Sequence, residues 1–492
     1  MTKPIVLCIL DGVGINPERE HNAVALAKMP FFNSLLANYP HSSLRADGEF
    51  VGLPAGLMGN SEVGHITIGS GRVVRQYLLR FQQENWDNNT KLQNFISSVR
   101  ETDGIVHFAG LMSSGCVHSS IEDELVIIKY ILDAGLRVCI HFVADGRDVP
   151  PQSALEFIDL IENRLVKYFA DSRVFWGTLS GRYYTMDRNH NMDRTKIALD
   201  AIAYAKSEFS VPDIRTGLKN AYARGETDEF IKPTIISGTQ ITSRDGFLWG
   251  NYRSDRSRQI LRAIVDSNIG VKILCFSQYG EGLNEICPAL IDDEIHINSL
   301  GDVLAKNNKT QLRIAETEKY NHVTYFFDME SNAEQNGCKK ILIPSPDVAT
   351  FDLKPEMSAK EITDTLLQEL ANFDVVILNY ANGDMVGHTG VESAAIRAME
   401  FLDNQLSRLV PRVLDLGGAL LITADHGNCE EMWDTENNVP CTSHTTNPVN
   451  LIVVGMGDVA VRDGGLCDIA PTILKLLNIE QPLEMTGKSL LK

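Results

Sequence analysis

The stretch that decides the fold lies at residues 57–65 and reads Leu-Met-Gly-Asn-Ser-Glu-Val-Gly-His. Ser61 precedes a run of helix-compatible residues, so we expect its hydroxyl at the N-terminus of a helix. Free backbone N–H groups at such a terminus favour an anion, which makes Ser61 a candidate nucleophile that carries a phosphoryl group. The alternative is that Ser61 or Asn60 only caps the helix.

Three apolar segments elsewhere in the chain end in possible metal ligands. Residues 4–10, 374–378 and 419–423 are predicted to be buried parallel strands, and ligands bind beyond the carboxyl ends of such strands. The ligand candidates that follow these strands, together with one later histidine, are Asp11, Asp384, His388, Asp425, His426 and His444. Their nitrogen and oxygen atoms suit Mn²⁺ or Zn²⁺.

Each of these candidates also has an ordinary structural interpretation. The Asp11-Gly12 pair is typical of a turn, and a single Asp-His pair is typical of a hydrogen-bonded core. Asp384 and His388 are four residues apart and would share one face of a helix. Burying the whole set without a metal would leave charge that costs several kcal/mol per ion, so we favour the metal site.

Arginines dominate the turns in the middle of the chain. Arginine grips carboxylate or phosphate with two parallel hydrogen bonds, which lysine cannot do. The arginines that lie in turn-like or strand-end contexts are Arg147, Arg182, Arg188, Arg253 and Arg256. They predict an anion clamp, although Asp148 and Asp255 could instead pair with them on the surface.

Two further cationic candidates keep two interpretations each. His118 donates to the same anion or closes a turn. Lys319 brings a positive charge to a transferring phosphoryl group, or pairs weakly with Glu316 on a helical turn.

Composition limits the classes of protein that fit. The chain has 492 residues, 44% of them hydrophobic, and should form two or three domains. Its net charge of -19 argues against nucleic acid and anionic membranes as partners. Nine scattered cysteines and a start that does not resemble a signal peptide predict reduced thiols in the cytoplasm. We expect a monomer that acts on a small-molecule substrate.

The order of these residues along the chain predicts how the domains are arranged. The ligand candidates fall in residues 11–61 and 384–444, whereas the arginines fall between 118 and 258. One domain built from both ends of the chain and interrupted by a second domain would bring the groups together across a cleft. We predict an α/β metal-binding domain with a mostly parallel central sheet at 1–76 and 298–492, and an inserted α/β substrate-binding domain at 77–297.

These motifs resemble the cofactor-independent phosphoglycerate mutase family, within the alkaline phosphatase superfamily. The resemblance extends from Ile5 to the end of the chain. The segments that carry it are 58–65, 145–151, 181–188, 313–320, 344–357, 384–390, 425–428 and 444–449. It implies interconversion of 3-phosphoglycerate and 2-phosphoglycerate through a phosphoserine, independent of 2,3-bisphosphoglycerate.

The resemblance also implies roles for single residues. It places one of two divalent ions, most often Mn²⁺ with Mg²⁺ or Co²⁺ as alternatives, on Asp384, His388 and His444. It places the other on Asp11, Ser61, Asp425 and His426. The substrate clamp that it implies consists of His118, Arg147, Asp148, Arg182, Arg188, Arg253, Arg256 and Lys319. Within this clamp, Asp148 is our candidate for handling the hydroxyl protons.

The chain departs from the usual pattern of the family at Val13, Tyr252, Ser254, Gly383 and residues 328–330. None of these positions is a matched catalytic residue. The alternatives to a mutase are a metal-dependent phosphohydrolase or phosphopentomutase, which would carry a different inserted domain, and a protein that only binds metal or phospho-ligands.

Overall fold

The computed structural model of the chain describes residues 3–280, 282–292, 297–435, 438–457 and 459–492. The chain forms two compact units. Unit 1 comprises Met1–Leu79 and Ile295–Lys492, and unit 2 comprises Arg80–Glu294. Unit 1 is therefore built from both ends of the chain, and unit 2 is the segment between them.

The strands of the described residues are short, and most are buried. In chain order they are β1 (Ile5–Leu10), β2 (His41–Arg45), β3 (Val106–Leu111), β4 (Val138–Ala144), β5 (Val174–Gly181), β6 (Phe209–Ser210), β7 (Thr234–Ile235), β8 (Gly246–Trp249), β9 (Lys272–Cys275), β10 (Gln311–Glu316), β11 (Cys338–Ile343), β12 (Val375–Tyr380), β13 (Ala419–Thr423), β14 (Trp433–Asp434), β15 (Val439–Pro440), β16 (Val449–Val454) and β17 (Gly464–Gly465).

Helices alternate with these strands in both units. They are α1 (Ala23–Leu26), α2 (Pro30–Asn38), α3 (Ser61–Ser70), α4 (Tyr77–Gln83), α5 (Thr90–Glu101), α6 (Ile121–Asp133), α7 (Ala154–Arg164), α8 (Val166–Ala170), α9 (Arg182–Thr185), α10 (Met192–Tyr204), α11 (Ile214–Ala223), α12 (Arg258–Asp266), α13 (Leu300–Lys306), α14 (Ala359–Glu369), α15 (Asn382–Gly387), α16 (Glu392–Asp415) and α17 (Ile469–Leu476). Among the described residues, no helix combines the length and hydrophobicity that crossing a bilayer requires.

The central sheet of unit 1 has eight strands in the order β11-β10-β12-β1-β13-β16-β2-β17. β1 lies between β12 and β13 and is parallel to both, with Ile5 opposite Val375 on one side and Ala419 on the other. All three strands are fully buried because their side chains pack on both faces of the sheet. Their carboxyl ends meet at one edge, and the segments that follow them carry Asp11, Asp384 and Asp425.

Unit 2 has its own seven-stranded sheet, in the order β6-β7-β5-β4-β3-β8-β9. Strands β5, β4, β3, β8 and β9 are parallel, and only β7 pairs with β5 in the antiparallel direction. The segments that follow β3, β4, β5 and β8 carry His118 and all five candidate arginines. The predicted α/β class, with a mostly parallel central sheet and an inserted second α/β unit, is confirmed.

Candidate active site

Ser61 is the first residue of α3, and the neighbouring Asn60 caps this helix. The Asn60 side chain accepts a hydrogen bond from Val63 N at 3.1 Å, which satisfies one of the free N–H groups of the first turn. Capping therefore does not depend on the Ser61 hydroxyl. Ser61 Oγ is 3.0 Å from His426 Nε2 and 3.3 Å from Asp11 Oδ1, and the side chain is almost fully buried.

Lys319 brings a buried ammonium group to the same hydroxyl. Its Nζ donates to Ser61 Oγ at 2.5 Å, to Asp11 Oδ1 at 2.8 Å and to Asp384 Oδ2 at 2.5 Å. Burial alone would lower the pKa of Lys319, but the nearby carboxylates outweigh burial and raise it. Glu316, the other partner weighed from the sequence, instead accepts a hydrogen bond from Ser345 Oγ at 3.0 Å. Lys319 is therefore a charged neighbour of the serine.

One set of possible ligands gathers beside Ser61. Asp11, Asp425 and His426 are fully buried and offer atoms that lie within 4.8 Å of one another. His426 Nε2 is 3.5 Å from Asp11 Oδ1 and 3.6 Å from Asp425 Oδ2. The stretch after β1 approaches so closely that a Cβ on Gly12, where φ is +73°, would lie 2.6 Å from Asp384 N.

A second set of possible ligands lies beside the first and consists of Asp384, His388 and His444. Asp384 Oδ1 is 3.0 Å from His444 Nε2 and 3.1 Å from His388 Nε2, and the two imidazole nitrogens are 3.0 Å apart. His426 stacks on His444 with 3.9 Å between the ring centroids. The other ring nitrogens of His388 and His444 face the backbone oxygens of Thr442 and Gly59. These contacts leave the Nε2 atoms directed towards Asp384.

The charge balance of the two sets fits cations. Asp11, Asp384 and Asp425 are three buried carboxylates, and Lys319 is the cation among them. Burial raises the pKa of Asp11, and Asp425 raises it further. Asp425 Oδ2 is buried, and the neighbouring nitrogens are His65 Nδ1 at 3.2 Å and His426 Nε2 at 3.6 Å. Three buried carboxylates that face one lysine and several imidazoles suit the binding of divalent ions.

The sequence analysis missed the residues that hold these ligands in place. Asn379 Nδ2 donates to Asp11 Oδ2 at 2.6 Å and approaches His65 Nε2 at 3.1 Å. His65 Nδ1 contacts the Ser61 backbone oxygen at 2.8 Å. Metal ligands are commonly oriented by such outer partners. His65 ends the motif at residues 57–65, and Asn379 lies at the end of a predicted strand. The sequence therefore places both residues near the site, but it does not show their contacts with Asp11 and Ser61.

Glu430 is another missed residue, and it joins three ligand-bearing segments. Its buried carboxylate accepts from Gly14 N at 3.0 Å and from Asn428 N at 2.8 Å. It also accepts from the side chains of Thr445 and Asn447. The stretches after β1 and β13 and the segment that carries His444 therefore depend on one carboxylate.

We expect Glu430→Gln to lower the free energy of unfolding by about 2–4 kcal/mol, because an amide NH₂ would face several donors. Metal affinity should fall by about 10- to 100-fold as the ligands lose their orientation. Thermal unfolding of the metal-free protein and calorimetric titration with Mn²⁺ measure the two effects. The matched control is Glu431→Gln, since Glu431 is exposed and should change stability by less than about 0.5 kcal/mol. Equal behaviour of the two variants would contradict the anchoring role.

Unit 2 contains a buried ion-pair cluster at the ends of β4 and β5. Arg182 Nη1 donates to Asp145 Oδ1 and to Asp148 Oδ2, both at 2.6 Å, and Arg182 is only 1% exposed. Asp145 in turn accepts from the backbone N–H groups of Arg147 and Asp148. Arg182 therefore fixes the position of Asp148, whose side chain remains partly exposed.

The remaining clamp candidates lie around this cluster. Burial lowers the pKa of Arg256, and the positive charges of Arg188, Arg182 and Arg147 lower it further. Burial also lowers the pKa of His118 to about 4, and Arg182 contributes in the same direction. Asp255 offsets part of this charge, as it accepts from Arg188 at 2.9 Å and lies 4.0 Å from Arg253. The structure thus brings the predicted clamp residues of unit 2 together. Asp145, Asp148, Asp255 and Glu229 offset much of their positive charge.

Two of the departures from the family pattern are neighbours in unit 1. A Cβ on Gly383 would lie 3.0 Å from Val13 Cγ2 and 2.5 Å from Asp11 O. Val13 itself is buried. The small residue at 383 therefore leaves room for the backbone that positions Asp11.

Comparison with known proteins supports a single family over the whole chain. A family model described as the Metalloenzyme superfamily matches residues 3–481. The 2,3-bisphosphoglycerate-independent phosphoglycerate mutase 1 of Methanosarcina acetivorans is 44% identical over 99% of this chain and 98% of its own length. The 2,3-bisphosphoglycerate-independent phosphoglycerate mutase of Syntrophotalea carbinolica is 43% identical over 100% of this chain and 98% of its own length.

A solved structure extends the similarity to the fold. The phosphoglycerate mutase of Leishmania mexicana, determined at low cobalt concentration, superposes with a TM-score of 0.74. It is 28% identical to this protein and covers 100% of this chain and 98% of its own. The similarity in both sequence and fold covers unit 1 and unit 2 alike. The chain therefore belongs to the 2,3-bisphosphoglycerate-independent phosphoglycerate mutase family of isomerases.

Proposed function

We propose that the protein interconverts 3-phosphoglycerate and 2-phosphoglycerate through a phosphoserine on Ser61, without 2,3-bisphosphoglycerate. The observation that carries the proposal is the surroundings of Ser61 Oγ. It stands in the first turn of α3, beside Lys319 Nζ and 3.0 Å from His426 Nε2, and the His426 ring stacks on His444 of the other ligand set. A hydroxyl at a helix N-terminus next to positive charge is well placed to accept a phosphoryl group.

In the first transfer, Ser61 Oγ attacks the phosphorus of 3-phosphoglycerate in line. The bond from phosphorus to the C3 oxygen of glycerate breaks, and that oxygen takes up a proton as Ser61 loses one. Lys319 Nζ balances negative charge on the transferring group, because it already contacts Ser61 Oγ. In the second transfer, the C2 hydroxyl attacks the phosphoserine, and 2-phosphoglycerate forms as Ser61 recovers its proton.

We assign the metal ligands as the family resemblance implies. Asp384, His388 and His444 would hold one divalent ion, and Asp11, Ser61, Asp425 and His426 would hold the other. When bound, such ions supply positive charge that favours the ionised serine and the transferring phosphoryl group. We propose Mn²⁺ as the metal, with Mg²⁺ or Co²⁺ as alternatives, since the ligands are carboxylate oxygens and imidazole nitrogens.

Unit 2 is proposed to hold glycerate between the two transfers. The clamp residues are His118, Arg147, Arg182, Arg188, Arg253 and Arg256. The positive charges of the five arginines suit the carboxylate of glycerate. Asp148 is proposed to handle the hydroxyl protons, and the hydrogen bond from Arg182 at 2.6 Å orients it for this role. Retention of glycerate prevents its loss to solvent before it is phosphorylated again.

Removal of divalent metal should abolish the mutase reaction. We expect EDTA treatment to lower activity at least about 1000-fold, because the serine loses its source of activation. Added Mn²⁺ should restore activity in buffer that contains no 2,3-bisphosphoglycerate. A coupled assay that consumes 2-phosphoglycerate measures the rate, and a parallel assay measures free phosphate.

Two outcomes of this experiment would overturn the proposal. Free phosphate as the main product would favour the phosphohydrolase alternative, which the similarity over unit 2 does not support. No turnover of either phosphoglycerate with metal present would favour a binding protein.

We also propose a cytoplasmic monomer that acts on small molecules and not on nucleic acid, in line with the net charge of -19. Size-exclusion chromatography with light scattering tests the monomer.

A further inference from the structure

Unit 2 contains a further group of possible metal ligands, apart from the two sets in unit 1. None of its residues has a role in the proposed reaction. His107 lies on β3, and Cys139 and His141 lie on β4. His107 is opposite Cys139 in the parallel ladder, and Cys139 and His141 are two residues apart on the same strand. Since alternate residues of a strand point to the same face, all three side chains share one face of the sheet.

The three side chains converge on one point. His107 Nδ1 is 3.0 Å from His141 Nε2, and Cys139 Sγ is 3.9 Å from the same nitrogen. All three ligand atoms lie within 4.8 Å of one another. Tetrahedral zinc with bonds of about 2.0–2.3 Å would place two nitrogens about 3.3 Å apart and a nitrogen and sulfur about 3.6 Å apart. The two separations that involve His141 Nε2 differ from these values by less than about half an ångström.

An irregularity in the neighbouring strand makes room for this group. The register between β4 and β5 shifts between Ile140 and His141, so Gly177 is the extra residue of a bulge. A Cβ on Gly177 would lie 2.6 Å from Cys139 Sγ and 2.8 Å from His141 Cε1. Only a residue without a side chain leaves the space that these two ligands fill.

The outer nitrogens of the two rings differ in their partners. His141 Nδ1 is 3.0 Å from Thr178 Oγ1, a hydroxyl that orients the ring and leaves Nε2 for a metal. His107 Nε2 lies 3.9 Å from Asp245 Oδ2, which is too far for a hydrogen bond, and it is buried without a hydrogen-bond partner among the described residues. Asp245 therefore places a negative charge near His107 but does not fix the ring.

Metal binding requires neutral imidazoles and a deprotonated thiol. A divalent cation bound here would displace the thiol proton of Cys139, so that one proton would be released for each ion.

We propose that His107, Cys139 and His141 form a three-ligand site for a thiophilic divalent cation, with Zn²⁺ as the ion that the ligand set fits best. Thiolate and imidazole together select zinc, whereas the carboxylates and histidines of unit 1 also accept harder ions. The thiolate and the carboxylate of Asp245 together balance the charge of the ion. Bound there, the ion ties β3 to β4, the two strands whose following segments carry His118, Arg147 and Asp148.

Cobalt distinguishes this site from the site in unit 1. A cobalt ion bound to a thiolate absorbs in the near ultraviolet by charge transfer from sulfur, and no cysteine belongs to the proposed ligands of unit 1. The full chain is produced in zinc-depleted medium that contains Co²⁺, so that the ion enters during folding. We expect the thiolate absorption band in the purified protein, and one more equivalent of metal than the proposed active site holds.

Variants assign the absorption band to its ligand. Cys139→Ser should lose the band and one equivalent of metal, and His107→Gln should weaken or shift the band while leaving the thiol in place. Cys441→Ser is the matched control, because Cys441 is a partly exposed thiol of unit 1 and its loss should leave the band unchanged. A wild-type protein without the band overturns the proposal, since the three side chains are then only a neutral hydrogen-bonded group. A band that survives in Cys139→Ser overturns it as well.

Discussion

Ser61→Ala is expected to lower mutase activity by at least about four orders of magnitude, because no other described hydroxyl occupies the position beside Lys319 and His426. The fold should tolerate the change. Asn60 and not Ser61 supplies the helix cap, and the Ser61 backbone oxygen that contacts His65 is retained. Stability should therefore change by less than about 1 kcal/mol.

Asn60→Ala provides the opposite variant for comparison. It removes the hydrogen bond to Val63 N and should lower stability by about 1 kcal/mol while most of the activity remains. Acid-quenched wild-type protein should gain the mass of one phosphoryl group on the peptide that contains Ser61, and Ser61→Ala should not. Substantial turnover by Ser61→Ala, or label on another residue, would contradict the phosphoserine mechanism.

The edge of the unit 1 sheet could be predicted because its strands are local patterns. An apolar run followed by a carboxylate marks a buried strand and its carboxyl end within about ten residues of sequence. Asp11, Asp384 and Asp425 each follow such a run. What links them is only that parallel strands share one ligand-binding edge.

The partners of the arginines could not be predicted in the same way. Arg182 and Arg188 stand six residues apart in similar turn contexts, yet Arg182 is 1% exposed and bridges two aspartates, while Arg188 is half exposed and pairs with Asp255. The difference depends on which strand lies next to which, and that is a property of the sheet. Sequence context identified the residue type and the loop but not the degree of burial.

Glu430 and the group on β3 and β4 could not be predicted from the sequence for a related reason. Glu430 accepts a hydrogen bond from Gly14, which is 416 residues away in the sequence. The adjacent Glu431 is the same type of residue, yet it is exposed. The group on β3 and β4 left a signal, since Cys139 and His141 alternate along one strand. Their approach to His107 requires the exact register of two strands, and a slip of one residue would move His107 to the opposite face.

Lys319→Met tests whether the lysine acts as a charge and not as a structural support. Its ammonium contacts Ser61 Oγ, Asp11 and Asp384, so its loss should lower kcat by about 100- to 1000-fold. The metal-free variant should lose about 3–5 kcal/mol of stability, because two buried carboxylates are left without their cation. Metal binding should return most of that stability, since divalent ions neutralise the same carboxylates.

The charge role of Lys319 also predicts a change in metal affinity that a packing defect would not produce. Removing a positive charge from the ligand set should tighten Mn²⁺ binding by about tenfold or more, even as activity falls. Calorimetric titration and thermal unfolding with and without Mn²⁺ measure both effects. Lys309→Met is the matched control, because Lys309 lies 3.9 Å from Asp374 at a partly exposed position and should change neither quantity appreciably. Weaker metal binding by Lys319→Met, or equal instability with and without metal, would mean that Lys319 supports the fold and does not set the charge that Ser61 requires.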